Sequence, residues 1–187
     1  MPYYYLIASL PYLYHDKPAP LSGKEFLNTC KPQLKKADFD CLQTARMYAE
    51  NIEGIQLNVL SDWNTWDRGL RNELVQVRVE KSGGDPQAFI RKDGWVRSQA
   101  QMTLAKNSKA AASPLFGEKM LNLARWKFLD GLESGNHFNL QQLVIYYLKL
   151  QLLEKMSLFN PEMGMSRLMN ILDRSDEKSL VKFEENV

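Results

Sequence analysis

Two histidines and two cysteines carry the most obvious chemistry in these 187 residues, and their spacing does not converge on a site. His15 and His137 have no Cys, His or carboxylate at metal-ligand spacing, so both read as loop histidines. Cys30 and Cys41 form neither a CxxC pair nor part of a Cys/His cluster. Nothing near them in sequence would activate a thiolate, and they read as small hydrophobes. The chain contains no GxGxxG, GxSxG, HExxH or P-loop motif. Gly83-Gly84 precedes Asp85-Pro86, where a helix N-terminus could cradle a phosphate. No P-loop lysine follows, and a simple loop is the favoured reading. The carboxylates are scattered, so spacing proposes no acid/base pair. The expectation is a protein with no catalytic residues, no metal and no cofactor.

Two clusters of cations and aromatics remain. Arg68, Arg71 and Arg78 share a predicted helix with Trp63 and Trp66. Such interleaving can bind nucleic acid, but both tryptophans fall on the apolar stripe and Glu73 and Glu80 dilute the charge. The favoured reading is a solvated polar face. Arg125-Trp126-Lys127 is the second cluster. Trp126 points off its helix's main stripe, so it either fills a second core contact, the favoured reading, or anchors a partner. Arg68, Arg71, Arg78, Arg125 and Trp126 are the candidate partner contacts.

These side chains are expected to be positioned by helices. A hydrophobic content of 44% permits a sizeable core, and 187 residues suit a single helical domain, 1–187. The Ala-rich stretch 106–113 is the best place to divide it into two lobes. A net charge of +2 argues against a dominant nucleic-acid surface. Two cysteines and a start without a basic signal-peptide region point to a reducing cytoplasm.

The organising stretch is 113–159. Ser113 caps and Pro114 opens one helix, with Leu121, Ala124, Phe128 and Leu132 on its inner stripe. Glu118, Asn122, Arg125 and Glu133 lie opposite. After a Ser134-Gly135-Asn136 turn, Asn139 caps a second helix, Leu140 to Phe159, apolar on nearly every side. Such a helix is central to a fold. Lys149, Glu154 and Lys155 interrupt it well short of the roughly 20 residues a membrane span needs.

Earlier, Tyr3 to Leu10 favours a short strand or extended segment, though a helix stays open. Ser22 and Glu25 form a capping box for a helix that Pro32 soon limits. Asp38 is expected to cap a helix from Phe39 to about Asn51, with Leu42, Ala45 and Tyr48 or Ala49 inward. Ser61 or Asp62 caps the next, to about Lys81, with Trp63, Trp66, Leu70, Leu74 and Val77 on its stripe. Asp67 and Arg71 read as an exposed i,i+4 pair. Ser82-Gly83-Gly84 ends this helix. Asp85-Pro86 opens another that aligns Phe89, Val96, Ala100 and Leu104, weakened at Gly94. Asn160-Pro161 starts a last helix holding Leu168, Ile171 and Leu172, and the charged tail from Asp173 frays. The sum is an all-α bundle of about seven helices with a short extended N-terminal segment.

Several stretches together resemble a bacterial family of about this length. They are Tyr3-Tyr4-Tyr5-Leu6-Ile7-Ala8-Ser9-Leu10-Pro11, then Leu21-Ser22 with Glu25-Phe26-Leu27, and Leu70-Arg71-Asn72-Glu73-Leu74 with Arg78. Ala124-Arg125-Trp126-Lys127-Phe128-Leu129 and Tyr147-Leu148-Lys149-Leu150-Gln151-Leu152-Leu153-Glu154 follow. Genes of that family tend to lie beside those of the V/A-type ATPase, and the family is similar to a shortened form of that machine's C-type (eukaryotic d-type) subunit. A full C-type subunit has three helical lobes forming a funnel; this chain has room for one or two. The resemblance implies a non-catalytic, all-helical accessory or central-stalk component that couples the rotor shaft to the membrane ring. Its partners would be the shaft and ring subunits, with neither nucleic acid nor a membrane span of its own. It would be cytoplasmic, peripheral on the inner face of the membrane. The rival expectations are a helical adaptor or assembly factor that binds transiently, and a small helical ligand-binding protein or enzyme.

Overall fold

The computed structural model describes residues 3–48, 57–91, 95–159, 164–167 and 169–172. The fold is all-α, with no strand among the described residues. Its helices are α1 (Tyr4–Ser9), α2 (Gly23–Cys30), α3 (Lys36–Thr44), α4 (Asn58–Ser82), α5 (Gln99–Lys109), α6 (Pro114–Glu133) and α7 (Leu140–Ser157). A turn of 3-10 helix, Pro86–Ala88, lies between α4 and α5. The chain divides into two compact units, Met1–Glu154 and Lys155–Val187. In the second, helical residues at 164–167 and 169–172 leave Met165, Met169, Ile171 and Leu172 exposed. The stretch 106–113, expected as a linker, forms the end of α5 and the turn into α6 inside the first unit.

Local chemistry set several boundaries as expected. Glu25 N–H donates to Ser22 Oγ at 3.2 Å while Ser22 N–H donates to Glu25 Oε2 at 2.7 Å, completing the capping box of α2. Phe116 N–H donates to Ser113 Oγ, with Pro114 at the first position of α6. Gln142 N–H donates to Asn139 Oδ1 at 2.9 Å at the start of α7. Gly83 takes the left-handed conformation that ends α4.

Other boundaries moved, each for a long-range reason. The expected extended N-terminal segment is the helix α1. With no neighbouring strand among the described residues to pair with, its amides bond locally, Ile7 N–H to Tyr3 O and Leu10 N–H to Ile7 O, while Leu6 is buried. Asp38 does not cap α3, whose N-cap is Lys35; it sits in the first turn and accepts from the Tyr3 hydroxyl. The α3 helix stops at Thr44 because Gln151 on α7 takes over the backbone that follows. Its amide donates to Ala45 O at 3.0 Å and accepts from Met47 N–H at 3.1 Å. Residues 49–56, including Ala49, lie outside the described residues, and Tyr48 is 41% exposed rather than inward. Neither Ser61 nor Asp62 caps α4, which begins at Asn58 because burying Val59 and Leu60 extends it.

The helix expected from Asp85 through Leu104 is two elements. Asp85 caps only the 3-10 turn, accepting from Gln87 N–H. The Asn72 side chain then clamps Arg91, donating to its carbonyl at 2.9 Å and accepting its N–H at 3.2 Å. A backbone bonded sideways in this way cannot continue the helical ladder. Phe89 and Val96 end exposed rather than aligned inward. Gly94, Asn160, Pro161, the Leu168 side chain and the tail from Asp173 lie outside the described residues.

The core is assembled on α7. Its residues Leu143 to Ile145 and Tyr147 to Leu150 are all buried, a burial on every side that an amphipathic surface helix does not show. Around it gather Leu6, Phe26, Leu42, Trp63 and Leu129, one from each of five other helices. A second, smaller cluster of Leu70, Leu74, Ala105 and Leu121 joins α4, α5 and α6. There, Gly117 lets the two chains of the α5–α6 hairpin close: a Cβ at Gly117 would lie 2.4 Å from Ser108 O.

Candidate functional site

The five candidate contacts divide by burial. Arg78 is exposed and Arg71 is partly exposed, whereas Arg68, Arg125 and Trp126 are buried. The sequence places Arg125 on a solvated face and the Asp67–Arg71 pair in water; the structure puts Arg125 and Asp67 together inside. Asp67 is 1% exposed and Arg125 3%. Arg125 Nε donates to Asp67 Oδ1 at 2.9 Å, and its Nη1 donates to Asn122 Oδ1 at 3.0 Å. Arg71 Nε lies 2.9 Å from Asp67 Oδ2, an ion pair without hydrogen-bond geometry. Both guanidinium groups lie over the Tyr48 ring, at 5.6 and 5.7 Å from its centre.

Burial opposes the charge on Arg125, but Asp67, Tyr48 and Glu118 together outweigh it, and the guanidinium pKa is raised above the ordinary arginine value. The guanidinium is therefore a permanent cation, unable to act as an acid or base near neutrality. Asp67, held between two guanidinium groups, is a structural counter-ion. Helix α6 thus buries one broad side on which polar Asn122 and Arg125 lie among apolar Leu121, Trp126 and Leu129.

Trp126 joins the core. Lys149 Nζ lies 5.4 Å from its ring centre, and His15 packs edge-on at 5.6 Å. Lys149 is itself buried and pairs with Asp130 at 2.7 Å and Glu133 at 2.5 Å. Glu73 is fully buried and accepts from Arg97. Each of these buried charges has a partner of opposite sign, as burial requires.

Cys30 is buried, and burial pushes its thiol up to about 12. Cys41 is also raised, by burial and by Asp38. No group of three or more His, Cys, Asp or Glu side chains among the described residues converges as a metal site. Gly83 and Gly84 form the loop after α4. A cavity of about 330 Å³ opens where α4 meets the α5–α6 turn, with Arg78 and Lys109 at its wall.

What the sequence reading missed is the exposure of several aromatic residues. Tyr5 is 92% and Tyr12 77% exposed, and Tyr4, Tyr14 and Phe138 are exposed as well. Tyr4 packs on Phe138 at 4.9 Å and Tyr12 on Tyr14 at 4.8 Å. Three hydrogen bonds hold the segments that carry these rings. Tyr3 N–H donates to Phe138 O, joining the N-terminus to the α6–α7 turn. Tyr146 OH on α7 donates to Pro11 O at 2.8 Å. Phe138 N–H donates to Gln142 Oε1 at 2.6 Å, at a residue with a positive φ of 56°. The Tyr-rich start was the available signal, but the residues read as apolar strand formers rather than as outward-facing rings.

No helix among the described residues is long and apolar enough to cross a membrane. No family model, curated protein or solved structure matches the chain.

Proposed function

We propose that this chain is a non-catalytic, C-like accessory or central-stalk component of a V/A-type ATPase, linking the rotor shaft to the membrane ring through protein contacts. The observation that carries the protein-binding part is the exposure of Tyr4, Tyr5, Tyr12, Tyr14 and Phe138. Tyrosine is enriched at protein interfaces because it offers a large ring and a hydroxyl at little rotamer cost. The partner's identity rests on the family resemblance, with which an all-α fold agrees. A rotor part must transmit torque without yielding, and a central helix buried on all sides with paired internal charges suits that demand. On this reading Arg78, exposed on α4, is the candidate cation most open to a partner.

The test is native purification of the tagged protein from its own cells in mild detergent, followed by identification of what accompanies it. Shaft and ring subunits recovered in fixed ratio are expected. The Tyr5→Ser, Tyr12→Ser double variant should lose them while keeping the wild-type melting temperature. Sub-stoichiometric recovery would indicate a transient assembly factor, and a chain recovered alone would end the proposal.

A further inference from the structure

An aromatic cleft of about 520 Å³ lies between α4, the segment 95–98 and α6. Its wall includes Trp66 from α4, Trp95, and Phe128 from α6. Trp66 and Phe128 stack with ring centres 4.6 Å apart and planes 12° from parallel. Trp63 lies 6.2 Å from the first ring and 6.4 Å from the second. A ring stacked on the outer face of either one would be much farther from the other. Trp63 therefore sits beside the pair, and both outer faces are left to other neighbours.

The polar chemistry of the cleft is specific. Asp62 is the single ionisable side chain among its described lining residues, and it is exposed. Gln101 is buried, and its amide donates to Trp66 O at 2.8 Å. The opposite end of that amide occupies the space a Cβ would need at Gly69, 2.5 Å away. A larger residue at Gly69 would have to displace this amide from the floor. Trp95 is partly buried and adds a further ring to the wall.

Aromatic walls, with one carboxylate and no cation among the described lining residues, favour a positive charge carried on an apolar body. The volume is that of a small-molecule site. We propose that this cleft binds a small organic cation of the trimethylammonium class, its charge set against the rings and Asp62. The inference is independent of any role in an ATPase, since it rests on the cleft alone.

Choline and its neutral tert-butyl isostere are the probes, titrated into the purified full-length chain and followed by calorimetry and tryptophan fluorescence. Choline is expected to bind saturably and about tenfold more tightly than the isostere, as a cation on aromatic walls should. Asp62→Asn should weaken choline severalfold without changing affinity for the isostere. Lys24→Ala, exposed on α2 and outside the cleft, should change neither. Because Asp62 is exposed, the variant's thermal melt should match the wild type, separating lost binding from lost folding. Equal affinity for choline and its isostere, the absence of saturable choline binding, or an Asp62→Asn variant that binds choline as the wild type does would each overturn the proposal.

Discussion

Asp67 sets one negative charge between the guanidinium groups of Arg71 and Arg125, inside the protein. Removing a partner from a buried pair leaves an uncompensated charge, at a typical cost of about 3–5 kcal/mol. Asp67→Asn is therefore expected to destabilise the fold by that amount in urea denaturation. Arg78→Ala, on the exposed side of the same helix, should stay within about 0.5 kcal/mol of wild type. Tyr3 gives a pH-dependent prediction. Burial, and then its bond to Asp38, push its hydroxyl from 10.0 up to about 12. The folded chain holds this proton more tightly than the unfolded one, so the contribution is complete below pH 10.0 and is lost as pH rises through about 12. Stability measured across that window should fall more steeply for the wild type than for Tyr3→Phe. At this scale the sequence was half legible. The i,i+4 spacing of Asp67 and Arg71 was plain, but burial of Asp67 depends on Arg125, which lies 58 residues away.

Helix ends were legible where the capping group lies within a turn of the end it caps. Ser22 and Glu25, Ser113 with Pro114, and Asn139 all acted as their types require. Ends failed where a distant side chain supplied the backbone's partner: Gln151 for the end of α3, Asn72 for the segment after the 3-10 turn. The helix–helix contacts make a sharper test. Gly117 faces the Ser108 carbonyl, and backbone cannot swing aside. Gly117→Ala should separate α5 from α6 and cost about 1–3 kcal/mol, as overpacking does. Gly131 is in the same helix, exposed, with nothing within 4 Å of an added Cβ. Gly131→Ala should stabilise by about 0.5–1 kcal/mol through backbone entropy. Opposite shifts in the denaturation midpoints of the two variants would establish that α6 is packed on one side and open on the other.

For the molecule as a whole, stability and recognition are placed on different residues. Leu148 is fully buried in α7, and Leu148→Ala should cost about 2–5 kcal/mol, the range for a core cavity. Tyr5→Ala should leave the melt unchanged within about 0.5 kcal/mol, because its ring is almost wholly in solvent. On the proposed function the second substitution, not the first, would reduce partner recovery at permissive temperature. The sequence by itself determined the all-helical class, the central helix α7 and the capped helix starts, because helical periodicity and capping operate over a few residues. It also located the aromatic and basic residues, though not which of them face water. Only the tertiary structure decided that Arg125 is internal, that Trp126 takes its favoured core position, that the first tyrosines face solvent, and that Trp66, Trp95 and Phe128 line a cleft. Those outcomes depend on helices brought together from distant parts of the chain, and no local pattern encodes which face each neighbour will cover.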